Sequence, residues 1–402
     1  METTAPALAT PEILKRVIQL AGSSHPFLSI YLPTNPRETN TEEVRLRVEA
    51  MLDELAESVA GDPKKRRPFA EARKVVGEYL RNIGTGGAGL AIISSAEAER
   101  WEALWLPDPV EEHSRFGTGA YVLPLIDLLD EWEPVVLAVV SRDKARLMAF
   151  VGGQAEEVKA LEGDAPGHHR AGGGSATRYP SAFPAYASQH QAGGGASSRF
   201  QRHILVHADR LFNEVIQELE DLHREMGFRR WFIAGPPQPV AQFKTHLPNS
   251  LQQLLHGDLA IDAHAGDQEI AARVLQVAQE AERQEEVELV QQIITSSEKD
   301  QGAVVGAAAT LWAINRHQLH LLVLAGASSG PGGYCANCEI LLPPEDVRCP
   351  QCEQKPQQVN LWEELPGFAM RRDIRLEIVH GEAASSLWHY QSMGGLLKPV
   401  RH

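Results

Sequence analysis

The sequence predicts a layered α/β protein of several domains, and three observations carry that expectation. Short apolar runs of strand length alternate with amphipathic helical stretches from end to end. The run Val135–Val140 is apolar without a break, as in a strand covered on both faces. At 402 residues, with about 150 per domain, the chain has room for two or three domains.

Composition narrows the class of protein. Apolar residues make up 43% and charged residues 23%, enough to bury real cores. The formal net charge of −15 argues against a chain that coats nucleic acid with its whole surface and leaves room only for a local basic site. No apolar run reaches the ~18 residues of a membrane span, and Met1-Glu2-Thr3-Thr4-Ala5 lacks a signal-peptide layout. The expectation is a soluble, cytoplasmic protein with neither DNA nor membrane as a partner.

Each element has a local reason. Residues 11–20 place Ile13, Val17 and Ile18 on one helical face, and residues 27–32 form a strand stopped by Pro33. Asn40 is an N-cap followed by Glu42 and Glu43, opening a helix with Val44, Leu46, Val48, Met51, Leu52 and Leu55. Lys64-Lys65-Arg66-Arg67 falls between helices and reads as a solvated cluster rather than an RNA contact. Residues 90–93 are a buried strand, and the first domain spans 1–132. In the second, 133–264, residues 146–150 and 156–161 pair as a hairpin turning at Gly152-Gly153. A helix covers about 200–226, a strand 231–234 and a helix 240–255. In the third, 265–402, helices are expected over 267–281, 287–294 and 304–315, strands over 319–324 and 375–379, and a glycine-containing tail at 393–397.

Two constellations carry chemistry. Cys335-x-x-Cys338 and Cys349-x-x-Cys352 are knuckles separated by ten residues, within a ribbon spanning 334–353. Two thiolates from each close all four positions around one tetrahedral ion, so the spacing predicts a structural rather than catalytic zinc. The second constellation is a long loop, 165–200. Residues 165–208 contain no acidic side chain, but four arginines and five histidines. His169-Arg170-Ala171 precedes Gly172, Gly173 and Gly174, with Arg178-Tyr179 four residues on; His190-Gln191-Ala192 precedes Gly193, Gly194 and Gly195, with Arg199-Phe200 four residues on. Triple glycine lets a backbone approach a partner closely. His168, His169, Arg170, Arg178, His190, Arg199 and Arg202 are the candidate RNA contacts. A recurring basic and aromatic punctuation favours an RNA-contacting tip over a floppy linker. Gly152-Gly153-Gln154 reads as a hairpin turn. Gly326-Ala327-Ser328-Ser329-Gly330 has nucleophile-elbow spelling without a following helix, and no P-loop occurs.

These residues resemble the archaeo-eukaryotic class-one peptide-chain release factors and their Pelota-like and bacterial relatives. Residues 166–179 are similar to the family's central-domain loop, in which a basic stretch precedes Gly-Gly-Gln, then Ser-Ala and Arg-Phe. Arg199-Phe200-Gln201-Arg202, entering a long helix, fits the same pattern. Thr310-Leu311-Trp312-Ala313-Ile314, the strand after it, the inserted ribbon and Met393-Gly394-Gly395-Leu396-Leu397 resemble the family's last domain. The likeness covers roughly 134–400.

The resemblance implies a ribosomal A-site ligand shaped somewhat like a tRNA. It implies a ribonuclease-H-like central domain whose loop reaches the peptidyl-transferase centre. The last domain would be an α/β/α sandwich able to dock a translational GTPase such as elongation factor Tu. Two departures stand out. The family's third loop residue is a water-positioning glutamine, whereas here Gly174 and Gly195 occupy the two candidate positions, with Gln189 and Gln191 just upstream. The N-terminal domain also lacks an Asn-Ile-Lys-Ser stretch. Two functions stay open: a non-catalytic factor that occupies the A site, as in ribosome hibernation, and a rescue enzyme that hydrolyses peptidyl-tRNA with backbone-positioned water. Loss of one transition-state donor costs about 10²–10³-fold in rate, so a strong hydrolase is not expected.

Overall fold

The structure, a computed structural model, describes residues 7–35, 40–81, 83–84, 86–152, 154–162, 196–261, 266–326 and 328–399; at 7, 154 and 196–208 only the backbone is described. The chain forms two compact units, one built from 1–132 and 282–402 and the other from 133–281.

The first unit contains the amino-terminal sheet. Its elements are β1 (Ala7–Leu8), α1 (Pro11–Ile18), β2 (Pro26–Pro33), α2 (Thr41–Val59), α3 (Pro63–Leu80), β3 (Gly89–Ser95), β4 (Arg100–Leu106), β5 (His113–Thr118) and α4 (Leu123–Glu131), in the strand order β1-β4-β3-β2-β5. Alternation along β2 decides which face each side chain serves. Leu28, Ile30 and Leu32 join α2 and α3, while Phe27 and Tyr31 join α1 and α4. The buried Ser29 accepts the Tyr121 backbone N–H at 3.0 Å, and the Tyr31 hydroxyl donates to the Tyr121 carbonyl at 2.6 Å. The Asn40 cap forms as expected, accepting from Glu43 N–H. Lys64–Arg67 does not lie between helices: Asp62 caps α3 and Pro63 occupies its first position, so the basic run is already helical.

The second unit holds β6 (Val135–Val140), β7 (Lys144–Val151), β8 (Gln154–Glu162), α5 (Ala196–Met226), β9 (Arg230–Ala234), α6 (Pro237–Lys244), α7 (Asn249–Leu254), β10 (Leu255–Leu259) and the first half of α8 (Asp267–Glu298). The sheet order is β10-β9-β6-β7-β8, with β6, β7 and β8 antiparallel and β9 and β10 parallel to β6. This is the ribonuclease-H-like order expected of the central domain. The 240–255 expectation resolves into two helices, because Pro248 caps a new one. The helices expected at 267–281 and 287–294 are one, α8. Ile270, Val274 and Ala278 pack on the β6 sheet, while Val290 and Ile293 pack in the first unit.

The carboxyl-terminal sheet comprises β11 (Ala303–Val305), β12 (Leu319–Ala325), β16 (Arg375–Val379) and β17 (Met393–Leu397) in the order β11-β17-β12-β16, with α9 (Ala307–Asn315), α10 (Leu361–Arg371) and α11 (Gly381–Trp388). Between β12 and α10 stands a small sheet of β13 (Pro331–Cys335), β14 (Ile340–Leu342) and β15 (Gln357–Asn360), ordered β14-β13-β15. Leu322 and Leu324 pack with α9 and α10, whereas Leu321, Val323 and Ala325 pack with α8 and α11. The sheet is therefore covered on both faces, as an α/β/α sandwich. Two expectations are corrected here. The 304–315 helix begins as a strand and turns at Gly306 (φ +86°), and the tail 393–397 is a strand inside the sheet. A Cβ on Gly395 would sit 2.3 Å from the Leu321 carbonyl oxygen, so glycine there is what lets β17 lie against β12.

Gly235 follows β9 at φ +140°, and a Cβ there would meet the Val140 carbonyl oxygen at 2.0 Å. Gly235→Ala is expected to destabilise the protein by more than about 1 kcal/mol, lowering its urea midpoint; an unchanged midpoint contradicts this account of the β6–β9 junction.

Candidate functional site

The four cysteines are brought together by turns. Cys335 ends β13 and Cys338 lies in the turn to β14, while Cys349 and Cys352 form the facing turn. In both knuckles the residue after the second cysteine is left-handed, Glu339 at φ +51° and Glu353 at φ +59°. The Glu353 N–H donates to the Cys349 carbonyl at 2.8 Å, closing the second knuckle. All four sulfurs lie within 4.8 Å of one another, and Cys335 Sγ and Cys352 Sγ are 3.5 Å apart. That exceeds the ~2.05 Å of a disulfide and is close to the ~3.8 Å expected between thiolates sharing a tetrahedral ion. The Gln354 amide lowers the Cys352 thiol, while burial raises Cys335 and the neighbouring Cys352 sulfur raises Cys338, so the thiols share their protons unequally. Ile340 and Leu342 pack beside the sulfurs. The set can hold one metal ion with no position left open for substrate.

The second candidate segment is rooted in the β8 and α5 stem. Lys159 on β8 pairs with Glu218 on α5 at 3.0 Å, and Leu161 packs against the cluster that includes Leu211, Val215 and Leu219. The positions His168, His169, Arg170, Gly172, Gly173, Gly174, Arg178, His190, Gln191, Gly193, Gly194 and Gly195 lie outside the described residues. Arg199 and Arg202 fall on the first turns of α5. Gly152 turns at φ +57° between β7 and β8, and Gln154 pairs with Val151, so this tripeptide belongs to a hairpin. The 326–330 segment leads into β13 rather than a helix, and the nucleophile-elbow context is absent.

An arrangement that sequence reasoning missed joins the two sheets of the first unit. Arg115 on β5 is 5% exposed. Its guanidinium lies 3.3 Å from Glu363, bonds Glu364, and donates to the Gly119 carbonyl at 3.1 Å. His113 Nε2 is 3.4 Å from Glu363. Burial alone would raise the Glu363 carboxyl, but His113 and Arg115 hold it below its ordinary value. At another corner His380 Nε2 is 2.6 Å from Asp127, and the His380 backbone N–H donates to Glu286 at 2.8 Å. Sequence offers one weak signal, an arginine at a position that β5's alternation turns inward.

Peptide chain release factor subunit 1 of Thermococcus sibiricus is 24% identical to this chain, over 97% of each. The same factor from Methanopyrus kandleri is 23% identical over 85% of this chain and 77% of its own. Among solved structures, an archaeal translation termination factor aligns over 98% of this chain and 99% of its own at 17% identity and a TM-score of 0.26. Archaeoglobus fulgidus Pelota aligns over 78% and 81% at 14% identity and a TM-score of 0.30. Residues 121–282 match bacterial archaeo-eukaryotic release factor family 10, and the similarity to release factor subunit 1 runs along almost the whole chain.

Arg115→Met leaves two half-buried carboxylates without their cation. A loss of about 3 kcal/mol in unfolding free energy is expected, with partial recovery when Glu363→Gln and Glu364→Gln are added. Equal stability of Arg115→Met and the parent would remove this contact from the account.

Proposed function

We propose that this protein is a ribosome-binding translation factor that occupies the A site and lays its glycine-rich segment near the peptidyl-transferase centre without hydrolysing peptidyl-tRNA. That is the role of a hibernation factor. The observation that carries the reading is the pairing of end-to-end similarity to release factor subunit 1 with glycine at both candidate positions for the family's glutamine, Gly174 and Gly195. The basic residues of 165–208, set in a chain of net charge −15, supply phosphate contacts free of acidic competition. The rooting of that stretch on β8 and α5, two packed elements, supports a defined approach to RNA.

Purified protein is expected to bind vacant 70S ribosomes. Replacing Arg170, Arg178, Arg199 and Arg202 with alanine should weaken binding and make its log–log salt dependence shallower, by about one unit per lost phosphate contact. Unchanged affinity and slope would exclude the segment as the contact. On stalled complexes the expected peptide release is at background; release above background assigns the chain to ribosome rescue instead.

The four thiolates are proposed to hold a structural zinc, a closed all-sulfur set suited to that ion. Protein purified without chelator should contain one zinc per chain by elemental analysis. Cys338→Ser with Cys352→Ser should abolish it and expose residues 331–360 to proteolysis. Metal-free parent protein with an intact ribbon would contradict the assignment.

A further inference from the structure

We propose that His380 and Asp127 form a proton-controlled latch that fastens the amino-terminal sheet of the first unit to its carboxyl-terminal sheet. The two residues are 253 positions apart, and their side chains meet at 2.6 Å. Asp127 lies on α4, which packs on the first sheet, and His380 is the N-cap residue of α11 at the end of β16. The His380 backbone is itself fixed, because its N–H donates to Glu286, a residue only 4% exposed. The ring can therefore respond to protons while its backbone stays in place.

The surroundings favour the imidazolium. From α4 it faces Asp127 and Glu131, and from α8 Arg283 and Glu286, with Arg283 and Glu286 paired to each other. Across a cavity of about 360 Å³ stand Asp108, Glu111 and His113, and from the segment after β12 the neutral Ser328 and Ser329. Its own helix adds Glu382 in the first turn. Carboxylates outnumber cations around the ring. The Asp127 hydrogen bond raises the His380 pKa above its ordinary value, against a burial effect that would lower it. The cavity gives the imidazole a route to solvent, so the proton can exchange without unfolding the junction.

The sign follows from linkage. A folded-state pKa raised above about 6.5 contributes stability that is fully present below that pH and is lost as pH rises through the folded value. The Arg115 contacts to Glu363 and Glu364 hold the sheets together without using the imidazole. The latch thus governs the α4 corner alone, closed in mild acid and loosened in mild alkali.

The test is amide exchange of residues 123–131 in the full-length protein at pH 6 and pH 8, corrected for intrinsic rates, together with an NMR titration of the His380 ring. Protection in the parent should fall about five- to tenfold at pH 8, the difference between a charge-assisted and a neutral hydrogen bond. His380→Gln and Asp127→Asn should show the same low protection at both pH values, and Asp127→Asn should move the His380 titration down. His113→Gln should leave the pH step in place. Equal protection of the parent at both pH values, or a step that survives Asp127→Asn, overturns the proposal. If Asp127→Asn does not fold, the parent decides alone: a His380 ring titrating at or below its ordinary value is incompatible with a latch.

Discussion

One guanidinium ties together the two ends of this chain. Arg115 enters from the edge strand of the first sheet and meets carboxylates from the first turn of a helix 249 residues further on. A buried charge is stable only with partners in good geometry, and here three acceptors surround one fork of donors. With the cation neutralised, the apolar surfaces beside it can close. Gly367 on α10 comes so near that a Cβ there would lie 2.8 Å from the Ala21 carbonyl oxygen, and Met370 joins the amino-terminal core. The ion pair sets where the helix lies, and the apolar contact supplies most of the free energy.

That junction also explains why 1–132 and 282–402 form one compact unit although 149 residues intervene. The intervening residues fold on their own sheet, and α8 carries apolar stripes for both units along one continuous helix. A helix with two successive buried stripes reads in sequence as two helices with a polar gap. The gap here, residues 282–286, is rich in good helix formers and continues the helix without a cap.

Legibility in the sequence followed locality. The strand Val135–Val140 and the helix rooted near Phe200 were readable because their burial pattern lies within one window of sequence. The cysteine cluster was readable for the same reason, since each knuckle is four residues long and the two lie close together. The closing strand 393–397 was not, because its glycines signal a loop by composition and reveal their purpose only beside Leu321. Nor was the basic run at 64–67, whose four cations oppose the helix dipole and so looked like a boundary until the Asp62 cap placed them inside α3. Arg115 offered only the inward position that β5's alternation gives it, and His380 and Asp127 had no legible signal. Each resembles an ordinary surface charge until a partner from the far end of the chain arrives.

Charge distribution bears directly on the proposed role. In about 0.15 M salt, electrostatic influence extends about 8 Å, so phosphates sense only the part of a protein that touches them. An acidic body is no obstacle to RNA binding through one basic stretch, and it penalises every other way of docking on the same phosphate-rich surface. In the proposed role, the net charge of −15 and the acid-free stretch 165–208 would work as a pair, one excluding and one admitting. Under the proposed role, glycine at the two candidate positions, Gly174 and Gly195, keeps a close backbone approach available and leaves out the side chain best suited to orient water. Such an occupant would remain in place without consuming the peptidyl-tRNA beside it.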